Sequence, residues 1–349
     1  MHALTPKRWR ELSRRYRKLR IAVVGDFALD RYLEIDPDRQ ERSLETGRSV
    51  HNVVRIRAQP GAAGTVVSNL VAAGVAKVPV VGFVGSDGEG YELRQALSSL
   101  PGVVLEGLLE TSQRRTFTYS KPLVLVPGQP PIELNRLDLK NWTPTPRTVQ
   151  KRLSEHVRAL AGEVDAMIVL DQVPVAGTGV VSREVLQAVQ DVMRREPELL
   201  VLGDCRRGLR EFPPMIWKMN RRELGLLCGG KSPFSRAKVR REASQLARRN
   251  RHPVIVTLAA EGLLGAWPTG EVWEVPALPT RGPIDVVGAG DAVSAHVVAA
   301  LSAGAFPEEA LTAANAAAWV VIHKLGTTGT ARPSEVERAL RVGAHPGEG

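Results

Sequence analysis

Short, wholly apolar runs recur along this chain, separated by stretches with helical spacing. The runs IAVVG (21–25), PVVGFVG (79–85), AMIVL (166–170), LLVLGD (199–204) and PVIVTL (253–258) show no alternation of polar and apolar positions. A strand wetted on one face alternates, whereas a strand covered on both faces does not. These runs therefore read as interior strands of a sheet flanked by helices. Between them, residues 63–73, 88–99, 147–161, 180–195, 220–228 and 234–249 read as helices, and three more are expected at 291–303, 306–324 and 333–342. Repeated strand–helix units predict an α/β fold: a doubly wound, mostly parallel sheet with right-handed crossovers. Ligands of such sheets sit at the carboxyl ends of the strands.

Two segments break this rhythm. Residues 31–58 lack a helical stripe and alternate toward their end (HNVVRIRA), and residues 112–138 read as two β segments around a Pro/Gly turn. They are expected to pair as a small β-sheet lid outside the main domain, one face of it covered by substrate or by a second copy of the chain. The expected organisation is a basic N-terminal helix (1–20), a main domain (21–343) interrupted by the lid, and a loose tail (344–349).

Composition narrows the picture. A chain of 349 residues suffices for one large α/β domain with an accessory element. Cys205 and Cys228 are too few for a disulfide framework and lack C-x-x-C spacing. The residues before IAVVG contain no apolar stretch long enough for a signal peptide or membrane span, so a cytoplasmic protein without membrane contact is expected. The net charge of +10 raises nucleic acid as a partner. The charge concentrates at 7–20 and 235–252, without zinc-finger spacing, a helix-turn-helix pattern or an aromatic platform, and suits phosphate-bearing ligands equally well. The histidines are scattered without metal-ligand spacing, and His296, on an apolar helix, reads as a core residue.

The densest chemistry lies in PIDVVGAGDAVSAHVVAAL (283–301). Gly288, Ala289 and Gly290 let backbone N–H groups approach an anion at the start of a helix, where the helix dipole adds positive potential. Asp291 follows in the first turn. It either caps the helix or faces a hydroxyl that must lose its proton while the cradle holds developing charge. Taken alone, the stretch supports both readings.

The motif DVVGAGD resembles the D-T-T-G-A-G-D signature of the ribokinase-like, or PfkB-type, carbohydrate kinases. Other segments resemble that family in the same order: VVGDFALDRY (23–32), PGAAGTVVSNLVAAG (60–74), VGFVGSDGEG (81–90), MNRRE (219–223), VTLAAEG (256–262) and ANAAAWVVIHKLGTTGT (314–330). The resemblance implies an ATP-dependent sugar kinase with Asp291 as base and the N–H groups of Gly288, Ala289 and Gly290 as anion cradle. It assigns Asp30, Gly61, Thr65 and Arg136 to the acceptor. Arg206, Thr257, Gly262 and Asn315 fall to the nucleotide, and Asn220 with Glu223 to magnesium-bound phosphate. Asn220 and Glu223 equally have capping-box spacing, and the two readings coexist at a helix start. A monovalent cation such as K+ would sit near Asp285 and the 326–328 loop. The resemblance further implies a homodimer through the lids.

GDFALDRY, ELNRLD and the ANAAAWVV helix resemble the branch acting on heptose 7-phosphate, whose bifunctional members carry a nucleotidyltransferase after the kinase. The expectation here is the kinase alone. A phosphorylated acceptor needs cations, and Arg114, Arg115, Lys121 and Arg136 all fall in the expected lid. Several positions depart from the family pattern: Thr65 for asparagine, Ala62 and Ala259 for glycines, Val286 and Val287 for threonines, and Arg206 for lysine. These departures leave open another sugar or a nucleoside as substrate. They also leave open a weakened kinase fold with a binding or regulatory role, and a nucleic-acid-associated protein remains a third class.

Overall fold

Along β1 (Ile21–Gly25), Ile21 and Val23 pack into one apolar cluster while Ala22 and Val24 pack into another. That is why the run shows no alternation: both faces of the sheet are covered. The computed structural model describes residues 4–230 and 234–344, and backbone only for 343 and 344. After β1 the strands are β2 (Phe27–Ile35), β3 (Glu41–Arg42), β4 (Ser49–Val50), β5 (Val53–Ala62), β6 (Val78–Gly85), β7 (Val103–Thr111), β8 (Phe117–Val124), β9 (Ile132–Glu133), β10 (Leu137–Leu139), β11 (Ala166–Asp171), β12 (Leu200–Cys205), β13 (Ile216–Asn220), β14 (Val254–Thr257), β15 (Leu263–Ala266) and β16 (Val272–Val275). The helices are α1 (Pro6–Arg15), α2 (Ala63–Ala73), α3 (Gly88–Ser98), α4 (Arg147–Arg158), α5 (Arg183–Arg195), α6 (Arg221–Leu227), α7 (Arg236–Asn250), α8 (Ala289–Ser302), α9 (Pro307–Ile322) and α10 (Pro333–Ala344).

The main sheet has nine strands in the order β16-β15-β14-β13-β12-β11-β1-β6-β7. It is parallel from β7 to β14, and β15 and β16 run antiparallel at one edge. Helices α1, α2, α3, α8, α9 and α10 cover one face, and α4, α5, α6 and α7 cover the other. The doubly wound architecture is as expected. Strands β7, β13, β15 and β16 were not anticipated, because β13 is short and carries a lysine and β15 and β16 pair only at the edge.

The basic helix α1 is part of the main core. Trp9, Leu12 and Tyr16 are fully buried, the Trp9 indole donates to the Pro333 carbonyl at 2.9 Å, and Arg8 pairs with Glu309 at 2.9 Å. The charge at 7–20 is the solvated side of a packed helix. The tail expected over 344–349 lies, beyond Ala344, outside the described residues. Among the described residues no helix is long and apolar enough to cross a membrane.

The lid is a second sheet, in the order β10-β8-β2-β5 with β9 on β8, and β3–β4 form a separate hairpin. It starts earlier and ends later than expected. Only Asp26 separates β1 from β2, and β5 runs directly into α2. Asp30 lies inside lid strand β2, opposite Gln59 of β5 and Tyr119 of β8. Arg31 pairs with Glu92, at 2.6 Å.

Two of the family departures hold strained backbone. Ala62 has φ 52° and ψ −120°, and Ala259 has φ 51°, both in regions that a Cβ disfavours. Replacing either by glycine should stabilise the fold by about 0.5–1 kcal/mol, the relief of Cβ strain outweighing the entropy of a more flexible unfolded chain. Urea unfolding of Ala62→Gly and Ala259→Gly checks this, and a midpoint lower than that of the parent chain would refute it.

Candidate active site

Parallel pairing sets polar residues side by side along the carboxyl edge of the main sheet. Gly25 pairs with Leu170, Asp171 with Cys205, Asp204 with Lys218 and Asn220 with Thr257. Asp26, Asp171, Asp204, Lys218, Asn220 and Thr257 thus line one rim, where the interior strands end and their side chains are no longer sandwiched between helices.

Helix α8 begins at this rim. Gly288 has φ 82°, and a Cβ there would lie 2.6 Å from Thr328 Cγ2 and 3.6 Å from Thr65 Cγ2, so the 326–330 loop and the start of α2 close around it. Asp285 does not reach into the cleft. Its Oδ1 accepts from the Val287 N–H at 2.9 Å, which shapes the turn into the cradle. The Ala289 N–H is turned back onto the Val286 carbonyl at 3.3 Å. That bond takes the Ala289 N–H out of the cradle expected from residues 288–290.

Beneath Gly290 lies a buried cation. The Lys218 ammonium donates to Asp204 Oδ2 at 2.7 Å, and a Cβ on Gly290 would come within 3.0 Å of it. Burial alone would lower the Lys218 pKa, but Asp204, Asp291 and Glu223 outweigh it and raise it. Asp291 sits half-buried in the first turn of α8. Loss of solvation pushes its carboxyl up to about 7, with Lys218 and Arg206 pulling down and Asp204 and Asp30 pushing up. A carboxylate near neutrality is matched to removing a proton from an alcohol at physiological pH.

Across the cleft, Asp30 is buried at 7% exposure and raised by desolvation, against which Lys121, Arg136 and the Thr328 hydroxyl act. Gly61 lies against it, for a Cβ there would come 2.8 Å from the Asp30 carboxyl carbon. The lid arranges cations on two tyrosines. Arg57 and Lys121 stack on Tyr32, at 4.7 and 4.8 Å, and Arg136 and Lys140 stack on Tyr119, at 4.9 and 5.7 Å. The Lys121 ammonium is 3.6 Å from Asp30, and Arg136 and Lys140 both pair with Asp138. The other two expected lid cations point elsewhere. The Arg114 guanidinium donates to Thr143 and Pro144, tying the end of the lid to the approach to α4, and Arg115 pairs with Asp87 and Glu89.

Asn220 and Glu223 form the capping box of α6. Asn220 Oδ1 accepts from the Glu223 N–H at 2.9 Å, and Glu223 Oε2 accepts from the Asn220 N–H at 2.8 Å. Burial raises the Glu223 pKa, and its neighbours include Asp204, Lys218 and Arg206. Among the described residues no three His, Cys, Asp or Glu side chains converge as a metal cage. Gly262 (φ 96°) follows Thr257 in the loop between β14 and β15. The Asn315 amide donates to the Pro276 carbonyl at 2.9 Å and ties α9 to the segment after β16, whose backbone lies against Gly262. His296 is a fully buried core residue whose pKa burial lowers to about 4.

Three participants were missed by sequence reasoning. Asp26 accepts from the N–H groups of Gln172 and Val180 at 2.8 and 2.7 Å, and burial followed by repulsion from Asp171 raises it to about 7. It fastens the 172–180 loop to the rim. Lys218, a lone cation inside the apolar strand IWKMN, and Thr328 are the others. A charge inside an otherwise buried strand was a usable signal for Lys218, and so was the carboxylate directly after IAVVG for Asp26.

The family model described as pfkB family carbohydrate kinase matches residues 18–334. Among curated proteins, the chain is 28% identical to the "Bifunctional protein HldE" of Gluconobacter oxydans over 327 residues, 92% of this chain. It is 30% identical to the protein of that name from Pelobacter propionicus over 331 residues, 94% of this chain. The matched region spans 64% of the length of each of these relatives. Among solved structures, Arabidopsis thaliana ribokinase complexed with ribose and ATP superposes with a TM-score of 0.65 at 19% identity, covering 93% of this chain and 99% of that one. Phosphofructokinase-2 from Escherichia coli in complex with fructose-6-phosphate gives a TM-score of 0.69 at 16% identity, covering 93% and 98%. Both share the fold.

A carboxyl held near 7 in the folded chain and ionising near 4 when unfolded makes the fold less stable as pH rises between those values. Asp291→Asn removes that cost. At pH 8 the variant should be more stable than the parent by about 2 kcal/mol, with the gain vanishing toward pH 4. Thermal or urea unfolding across this range checks it, and an equal effect at both ends would disprove the assignment.

Proposed function

The chain belongs to the pfkB family of carbohydrate kinases, and from that premise we propose that it transfers the γ-phosphoryl group of ATP to a hydroxyl of a sugar phosphate. The observation that carries this reading is the placement of Asp291 at the start of α8, over a buried Lys218–Asp204 pair, facing a lid whose Asp30 is ringed by cations. Asp291 accepts the proton of the attacking hydroxyl. The N–H groups of Gly288 and Gly290 stabilise charge on the transferring group, and Lys218 keeps the rim from becoming uniformly acidic. Glu223, braced by Asn220, would hold a magnesium ion, which when bound would neutralise phosphate charge.

Asp30 and the Thr65 hydroxyl position the acceptor, and Lys121 and Arg136 hold its phosphate. Both cations already pair with carboxylates, Lys121 with Asp30 and Arg136 with Asp138, and a phosphorylated acceptor adds a further anionic partner that an uncharged sugar lacks. The resemblance to the bifunctional relatives makes heptose 7-phosphate the first acceptor to test. Arg206, Thr257 and Gly262 lie along the path assigned to the nucleotide. The outward residues Val54, Ile56, Leu137 and Leu139 of the lid are exposed apolar surface, which supports a homodimer through the lids. A cytoplasmic setting supplies the ATP.

Alanine at Asp291 should lower kcat about a thousandfold or more while leaving ATP affinity within about threefold. ADP release coupled to a panel of free sugars, hexose phosphates, heptose phosphates and nucleosides is the assay, and a variant retaining several per cent of activity would sink the mechanism. On the best phosphorylated acceptor, Lys121→Ala and Arg136→Ala should each raise KM about tenfold or more, with little change for its dephosphorylated counterpart. Equal effects on both acceptors would remove the phosphate role of the lid.

A further inference from the structure

A second cavity among the described residues lies apart from the cleft between Asp291 and Asp30. It has a volume of about 990 Å³ and opens on the other side of the sheet, between α5, α6 and the 205–213 loop. No residue of α8, of the 284–291 turn or of the lid strands lines it. The face that α5 turns to it is polar: Arg183, Gln187 and Gln190 line it at helical spacing, with Leu186 between them. The opposite wall carries Arg206, Arg207 and Arg210. Arg207 is held by the buried Asp171 at the floor. Arg183, Arg206 and Arg210 form no ion pair within 4.0 Å among the described residues, although they surround one concavity. Their exposed guanidinium groups share the wall with the carboxylates of Glu211 and Glu223, and the four lining arginines outnumber the three lining carboxylates, Asp171 among them. Apolar wall residues, Val181 and Phe212 among them, give the same cavity a surface for the body of a ligand.

We propose that this cavity is a second anion site, taking a phosphorylated small molecule of about nucleotide size. The volume is at the upper end of the roughly 300–1,000 Å³ typical of small-molecule sites. The cavity communicates with the cleft through two residues. Arg206 and Glu223 line it, and both also act on the rim: Arg206 on Asp291, and Glu223 on Lys218. An anion bound here draws Arg206 away from the rim, so its occupancy changes turnover without competing for the acceptor.

The test uses inorganic pyrophosphate, titrated calorimetrically into the full chain saturated with a non-hydrolysable ATP analogue, which fills the cradle. One equivalent should bind. The double variant Arg183→Ala/Arg210→Ala should weaken that binding about tenfold or more, while Tm and affinity for the ATP analogue stay at the parent values. Both side chains are exposed and neither belongs to the catalytic cleft, so the fold should tolerate the changes. Arg210→Glu gives a second, charge-reversed variant expected to weaken binding further. Absence of pyrophosphate binding to the parent chain, or binding unchanged by the double substitution, overturns the proposal. The readout is binding rather than turnover, so failure of the phosphoryl-transfer reading would show separately, as inactivity across the acceptor panel.

Discussion

One buried ammonium organises the rim of the main sheet. Lys218 sits at 7% exposure inside β13, hydrogen-bonded to Asp204, with Asp291 and Glu223 close enough to raise its pKa. Taking such a pair out of water costs several kcal/mol per ion before the mutual attraction is counted, so its worth to stability is small. Its worth to the site is larger. Without Lys218 three carboxylates would crowd an edge where an anion has to approach. The ammonium also reaches up against the backbone of α8, where a Cβ at 290 would come to 3.0 Å from it. The glycines of the cradle are therefore pressed from both sides: by Thr328, whose Cγ2 would lie 2.6 Å from a Cβ at 288, and by Lys218, which would have to give way to one at 290.

The same reasoning explains how the chain tolerates its departures from the family pattern. Val286 and Val287 replace threonines, yet both are exposed, at 69% and 50%, and the turn is held by Asp285 through its own backbone bond to Ile322 and its side-chain bond to Val287. Two hydroxyls are lost and the backbone path is kept. Ala62 and Ala259 both sit at positive φ, a conformation that glycine adopts without strain.

The layered sheet was legible because burial on both faces leaves a local trace, an unbroken apolar run, and α2 and β1 fall on the expected residues. The capping box at Asn220 and Glu223 was legible for the same reason, since its partners are three residues apart. The start of the lid at Phe27 was not legible because IAVVGDFALD is apolar on both sides of Gly25-Asp26. Nothing in the pattern marks where the main sheet stops and the lid begins. Pairings between distant segments left no local trace at all. Whether a lid cation faces the cleft, as Lys121 and Arg136 do, or braces a loop, as Arg114 does, depends on partners that only the fold brings near.

The root of the lid links the two halves of the cleft. The Ala63 N–H donates to the Asp26 carbonyl at 3.0 Å, so the strand that enters the lid and the helix that receives the chain from it share one anchor at the end of β1. The Asp26 side chain pins the 172–180 loop at the same point. On the far side, Arg57 donates to the Gly326 carbonyl and Thr327 donates to Gln59, closing the loop that packs on Gly288 against lid strand β5. The spacing between Asp30 and Asp291 is thus set by the buried sheet and two short bridges rather than by free loops. A change in what the lid accepts can come through its cations while that spacing, and the chemistry that depends on it, is left in place.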